Sequence, residues 1–193
     1  MASETLSYSA FENHRLLATG PLEPVALKIQ RRLKTNPSAA VLLFSDSTGK
    51  QMDLDLRGSE SELMDRLKIF ISAENTESAP SGPGRPKLGV VAREVSLLPR
   101  HWEWLATQSG GASATIRRLI EEARKNPSEK EQIRIAQERT HKFMTAIAGD
   151  LAHYEEALRA LYANDKKGFQ TQTREWPEDV RDHAKKLAAG AWK

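Results

Sequence analysis

The apolar period changes several times along the chain, and each change marks an expected element. Leu6-Ser-Tyr-Ser-Ala-Phe11 alternates at the strand period. A turn at Glu12-Asn13 and the run Arg15 to Thr19 follow it, which predicts a short hairpin. From Leu22 to Lys34 the spacing becomes helical, with Leu22, Val25, Ala26, Ile29 and Leu33 on one face. Asn36-Pro37 ends that helix. A second hairpin is expected from Ala40 to Phe44, a turn at Asp46-Ser-Thr-Gly49, and the alternating run Gln51 to Leu56. In that run Met52, Leu54 and Leu56 oppose Asp53 and Asp55. Ser59, with Glu62 three positions on, forms a capping box before a helix with the stripe Leu63, Leu67, Phe70 and Ile71. The order ββα–ββα predicts a small α+β domain over residues 1–72.

Residues 73–87 contain three prolines, two glycines and no large apolar residue. Such a composition cannot bury enough surface to offset its chain entropy, so a flexible linker is expected. Residues 88–126 read as a strand, Leu88 to Leu97, then two helices. One strand face holds Val91, Arg93, Val95 and Leu97; the other holds Val90, Ala92, Glu94 and Ser96. Pro99 opens the first helix, with Trp102 and Leu105 in its core and Gly110-Gly111 as its stop. Ser113 is the expected cap of the second helix, whose stripe is Ile116, Leu119, Ile120 and Ala123; Arg117 and Arg118 point away from it. One strand and two helices in about 45 residues cannot satisfy a strand edge alone, which favours pairing between two copies. Residues 127–193 are expected to be a helical bundle. Its segments are Glu129–Ile147, Asp150–Tyr162 with Asp150 as N-cap, Asp165–Trp176, and a last helix opened by Pro177 with Val180, His183, Ala184 and Leu187 inward.

Composition adds three constraints. The absence of cysteine excludes disulfides, thiol catalysis and thiolate zinc sites. No stretch approaches the roughly 18 apolar residues of a membrane span, and the first residues lack the basic start and apolar run of a secretory signal, so a cytoplasmic protein is expected. The net charge of +3 is uneven, since residues 84–126 carry eight Lys/Arg against four Asp/Glu. A local basic excess attracts polyanions, which makes nucleic acid a candidate partner.

The run Arg93-Glu-Val-Ser-Leu-Leu-Pro-Arg-His-Trp-Glu-Trp-Leu followed by Gly-Gly-Ala-Ser-Ala-Thr-Ile-Arg-Arg-Leu-Ile-Glu-Glu-Ala123 resembles the ribbon–helix–helix family of bacterial repressors. The resemblance implies a homodimer whose two-stranded ribbon enters the DNA major groove, with a phosphate held at the start of the second helix. It implies Ala92, Glu94 and Ser96 as groove-facing residues, Ala112 and Ser113 as phosphate holders, and Arg117 and Arg118 as helpers. An alanine and an acid on the ribbon depart from the family's polar or basic pattern, and a register slip of one residue would place Arg93 in the groove. Gly84-Arg85-Pro86 with Lys87 matches the core of a minor-groove arm, against the reading of a plain linker end. The longer block Gly84-Arg-Pro-Lys-Leu-Gly-Val-Val-Ala-Arg-Glu-Val, with Leu97-Leu-Pro-Arg-His-Trp-Glu-Trp-Leu105, resembles a bacterial family of unknown function.

Other signals are weaker. Asp53 and Asp55 read as a solvated strand face, and the five histidines show no ligand spacing or obvious Asp or Ser partner. No phosphate loop or nucleophile motif occurs, so no catalysis, metal or cofactor is expected. The expected function is that of a homodimeric DNA-binding protein, a transcriptional regulator. The alternative is a non-catalytic adaptor that uses the central module for dimerisation alone.

Overall fold

The computed structural model describes residues 6–75 and 93–192. The chain divides into two compact units. One, the bipartite unit, joins residues 1–70 to residues 130–193; the other, residues 71–129, is inserted between those segments.

In the bipartite unit, β1 (Tyr8–Glu12) and β2 (Arg15–Gly20) form the first hairpin, closed by the pair Glu12↔Arg15. Asn13 takes a left-handed φ of 54°, which a short polar side chain tolerates better than a β-branched one. α1 (Leu22–Thr35) buries Leu22, Val25, Ala26 and Ile29 of the expected stripe, leaves Leu33 half-buried, and ends at Asn36. β3 (Val41–Ser45) and β4 (Gln51–Met52) complete an antiparallel sheet of order β2-β1-β3-β4. α2 (Glu60–Asn75) starts in the expected capping box: the Glu62 amide donates to Ser59 Oγ at 3.2 Å, and the Ser59 amide donates to Glu62 Oε2 at 2.7 Å.

β4 is shorter than its alternation predicts. Leu54 and Leu56 remain half-buried, but the ladder stops at Met52. Beyond it the backbone finds another partner, because the buried Gln30 amide donates to the carbonyls of Leu56 and Gly58 at 2.8 and 3.3 Å. A side chain of α1 takes the place of a neighbouring strand.

The second segment supplies α5 (Glu129–Ile147), α6 (Tyr154–Tyr162), α7 (Lys166–Gln172), α8 (Glu178–Leu187) and a 3-10 turn at Ala188–Ala191. Asp165 caps α7 by accepting from the Gly168 amide at 2.8 Å. α6 starts four residues later than expected, and Asp150 is not its cap. Residues 149–153 form turns, with the Trp176 indole N–H donating to the Ala152 carbonyl at 2.7 Å and His153 in a left-handed conformation before the helix. Val180, His183, Ala184 and Leu187 are all buried on α8, as its spacing predicts.

Sequence patterning sets residues 1–72 and 127–193 apart, whereas the structure gives them one core. Phe11 and Phe44 of the sheet cluster with Phe143 and Met144 of α5, Leu161 of α6, Phe169 of α7 and Val180 of α8. Tyr8 to Phe11 are buried at four successive positions, so β1 is covered on both faces; α1 packs against β1 and β2. A small sheet with two apolar faces requires two layers of cover, and the chain brings the second layer from its far end. Among the described residues no helix is long and apolar enough to cross a membrane.

Candidate nucleic-acid interface

The described part of the inserted unit is built on α3 (Pro99–Ala106) and α4 (Gly111–Lys125), which pack on each other. Pro99 opens α3 as expected, since the first helical position needs no amide donor. The connection is closed by turn bonds from the Thr107 amide to Trp104 O and from the Gly111 amide to Gln108 O, both 3.2 Å. Gly110 and Gly111 take φ of 89° and 74°, values open to glycine and costly for other residues. α4 therefore begins on the glycine pair rather than at Ser113, which lies in the first turn and does not cap it.

Arg93, Glu94 and Ser96 are exposed on the segment 93–98, which carries no strand assignment. A strand is defined by its ladder, and the described residues of this chain give that segment none. Val95 is as open as its neighbours, so burial does not choose between the two expected faces. Arg85, Lys87 and Ala92, and most of the expected linker, lie outside the described residues. Ala112 is half-buried and Ser113 exposed at the helix start, where first-turn amides have no partner within the helix. Arg117 follows Ser113 by one helical repeat, so the hydroxyl and the guanidinium share a face. Arg118, also exposed, lies 3.7 Å from Glu122.

The apolar residues of this unit behave differently from expectation. Leu105 and Thr115 are its fully buried side chains among the described residues. Trp102, expected in the core, is 44% exposed, as eight residues of helix present one narrow face and Leu105 fills it. Ile120 is 52% exposed, and Val95, Leu98, Trp104 and Leu119 are also open.

The bipartite unit holds a titratable cluster that the sequence does not reveal. Asp46, on the turn after β3, accepts from Ser7 Oγ at 2.9 Å and from Lys186 Nζ at 2.8 Å. Its other oxygen lies 3.4 Å from His183 Nε2; both atoms are buried and neither has a hydrogen-bond partner. The His183 ring packs against Phe11 and Phe143, centroids 5.3 and 4.7 Å away. Burial pushes His183 down to about 4, against the pull of Asp46. Burial alone would raise Asp46, but Lys186, the hydroxyls of Ser9 and Ser7 and the charge of His183 hold it below the usual carboxylate range. The pair spans 137 positions of sequence, so no local spacing could show it. Enclosed between the turn and α8, it acts as a clasp between the two segments of the unit.

The described surface also has a shallow groove of about 560 Å³ beside α1, lined by Gln30, Leu33, Lys34, Leu54 and Leu56. Asp55 and Arg57 line it too, but they are paired with each other at 2.9 Å, and Gln30 is engaged with backbone carbonyls.

Sheet, helical cover and insertion define a mixed α+β protein. The chain belongs to a bacterial family described as "Uncharacterized protein conserved in bacteria (DUF2239)", whose pattern matches residues 7–188. The match takes in both units, in agreement with the resemblance of the Gly84–Leu105 block. No curated protein and no solved structure matches the chain.

Proposed function

We propose that this protein is a homodimeric, non-catalytic DNA-binding protein acting as a transcriptional regulator, with its inserted unit in a ribbon–helix–helix arrangement. The observation that carries the reading is the two-sidedness of α4: an apolar side left open by the described residues, and exposed arginines near a glycine-opened helix start. In this reading two copies pair through residues 93–97, and Glu94 and Ser96, or Arg93 in the other register, meet base edges. Backbone amides at Ala112 and Ser113 and the guanidinium of Arg117 hold a phosphate, as helix starts favour anions.

The test is binding to the gene's own upstream DNA and to a scrambled duplex over a salt series, with sedimentation run in parallel. Selective binding is expected to weaken steeply with salt. Arg117→Ala with Arg118→Ala should flatten the salt slope by about 2, roughly 0.9 per lost phosphate contact. A protein that sediments as a dimer yet binds neither duplex at low salt would overturn the DNA reading and leave a dimeric adaptor.

A further inference from the structure

The bipartite unit has a second hollow, at the seam where its two segments meet. Its volume is about 390 Å³, within the range of small-molecule sites, and it is bounded by the β1–β2 turn, the start of β3 and the end of α5. Ala40, Leu42 and Ile147 give it an apolar lining, and His14 ties its edge across the seam, donating from Nε2 to the Ile147 carbonyl at 3.1 Å. None of its lining residues belongs to the inserted unit.

The other polar groups here are acceptors. α5 ends at the hollow, and the carbonyls of a helix's last turn have no partner within the helix. Met144 O takes the Ala148 amide at 2.8 Å and Ile147 O takes His14. Among the described residues nothing donates to Thr145 O or Ala146 O. Gly149 keeps the first of these open, since a Cβ there would lie 3.2 Å from Thr145 O. The last turn of α5 holds no basic residue, so no side chain of that turn offsets the negative end of its dipole. Asp150, which does not cap α6, lines the same hollow, and its carboxylate has no partner among the described residues. No lysine or arginine among the described residues lines it.

We propose that this hollow binds a small primary amine, with its ammonium on Asp150 and the open carbonyls of α5 and its alkyl chain against Leu42 and Ala40. Charge and lining together select that class. A carboxylate and a helix C-terminus favour a cation. A hard metal ion would need about six oxygen ligands, whereas much of this lining is apolar, so the cation that fits carries an apolar body. The site exists only when both segments of the unit are in place. The amine therefore stabilises the assembled unit over the unfolded chain.

The experiment is amide NMR of the full chain titrated with n-butylammonium, with n-butanol and butyrate at equal ionic strength as neutral and anionic controls. Butylammonium should bind with a dissociation constant of about 1 mM, as suits so small a ligand. The amides it shifts should be those of residues 13–14, 40–42 and 145–150, and both controls should bind more weakly. Asp150→Asn should weaken butylammonium about fivefold, and melting without the amine should not change because the residue is exposed. Ala146→Lys sets a tethered ammonium in the last turn of α5; it should block the site and raise the melting temperature. A lysine acetylated at Nα and amidated at its carboxyl should bind no more tightly than butylammonium. Binding of that probe about tenfold tighter would assign the hollow to a lysine of a protein partner and overturn the small amine. Equal shifts from butylammonium and butanol, or undiminished binding in Asp150→Asn or Ala146→Lys, would overturn the proposal outright.

Discussion

In the bipartite unit aromatic rings meet rings. Phe143 lies 4.9 Å from Phe44 and 5.5 Å from Phe11, and Phe169 lies 5.4 Å from Trp192. In the inserted unit Trp102 and Trp104, residues of the same chemical kind, stand half in solvent. The difference is one of available layers rather than of composition. A sheet covered by α1 on one side and by α5 to α8 on the other can enclose its large side chains. Two helices alone cannot, however amphipathic they are. Among the described residues, one unit closes its own core and the other leaves large apolar side chains open.

The sharpest way to break this comparison is to remove a ring from the closed core. Phe143→Ala, at a fully buried site, should cost about 3–5 kcal/mol in urea unfolding of the bipartite unit, from lost burial and the cavity left behind. A loss below about 1 kcal/mol would mean the core is looser than its ring contacts imply.

Acid should act next. His183 is held near 4 in the fold, below the 6.5 of the unfolded chain, so the unfolded state binds its proton first as pH falls. Its contribution is complete above pH 6.5 and is lost as pH falls from 6.5 to 4, by up to about 3 kcal/mol. Asp46, lowered from 3.8, adds a further loss below that range with the same sign. The charges facing the pair are Lys186 on α8 and the half-buried Arg139 on α5, both cationic over this range. Urea melts from pH 7 to 4 should show the decline, and His183→Phe should flatten it. An equal slope in that variant would place the acid sensitivity elsewhere.

Two smaller effects sharpen the contrast. Ser59→Ala removes half of the capping box of α2 and should cost the bipartite unit about 1 kcal/mol by thermal melting. Trp102→Ala should change the melting of the bipartite unit by less than about 0.5 kcal/mol, and on the proposed dimer it should weaken association measurably. A tryptophan that mattered to the monomer's core would reverse that ordering.

Much of the local structure is legible in the sequence because its causes are local. The bounds of α5, the inner face of α8, the stripe of α1 and the Ser59–Glu62 box each depend on residues within a few turns. The misses share a different origin. β4 stops early because Gln30, on another element, takes the carbonyls of Leu56 and Gly58. α6 starts late where Trp176, from beyond α7, engages Ala152. The joint core and the Asp46–His183 clasp depend on contacts across the insertion, which no window of periodicity spans. Of the candidate interface, the α3–α4 pair and the exposure of Arg117 and Arg118 were legible. The opening of α4 on Gly110-Gly111 and the exposure of Trp102 were not, since both depend on how few neighbours two short helices provide.

The division of the bipartite unit between two distant segments also sets an order of events during synthesis. β1 and β3 leave the ribosome early, carrying Phe11 and Phe44, while the helices that enclose those rings follow only after the whole insertion has been made. Contacts of such sequence separation form late and slow the folding of a unit. For that interval the sheet shows an apolar face to its surroundings, the kind of surface chaperones bind. The insertion thus imposes a waiting time on the nascent chain, and its length is one of the quantities that sets how long the sheet stays uncovered.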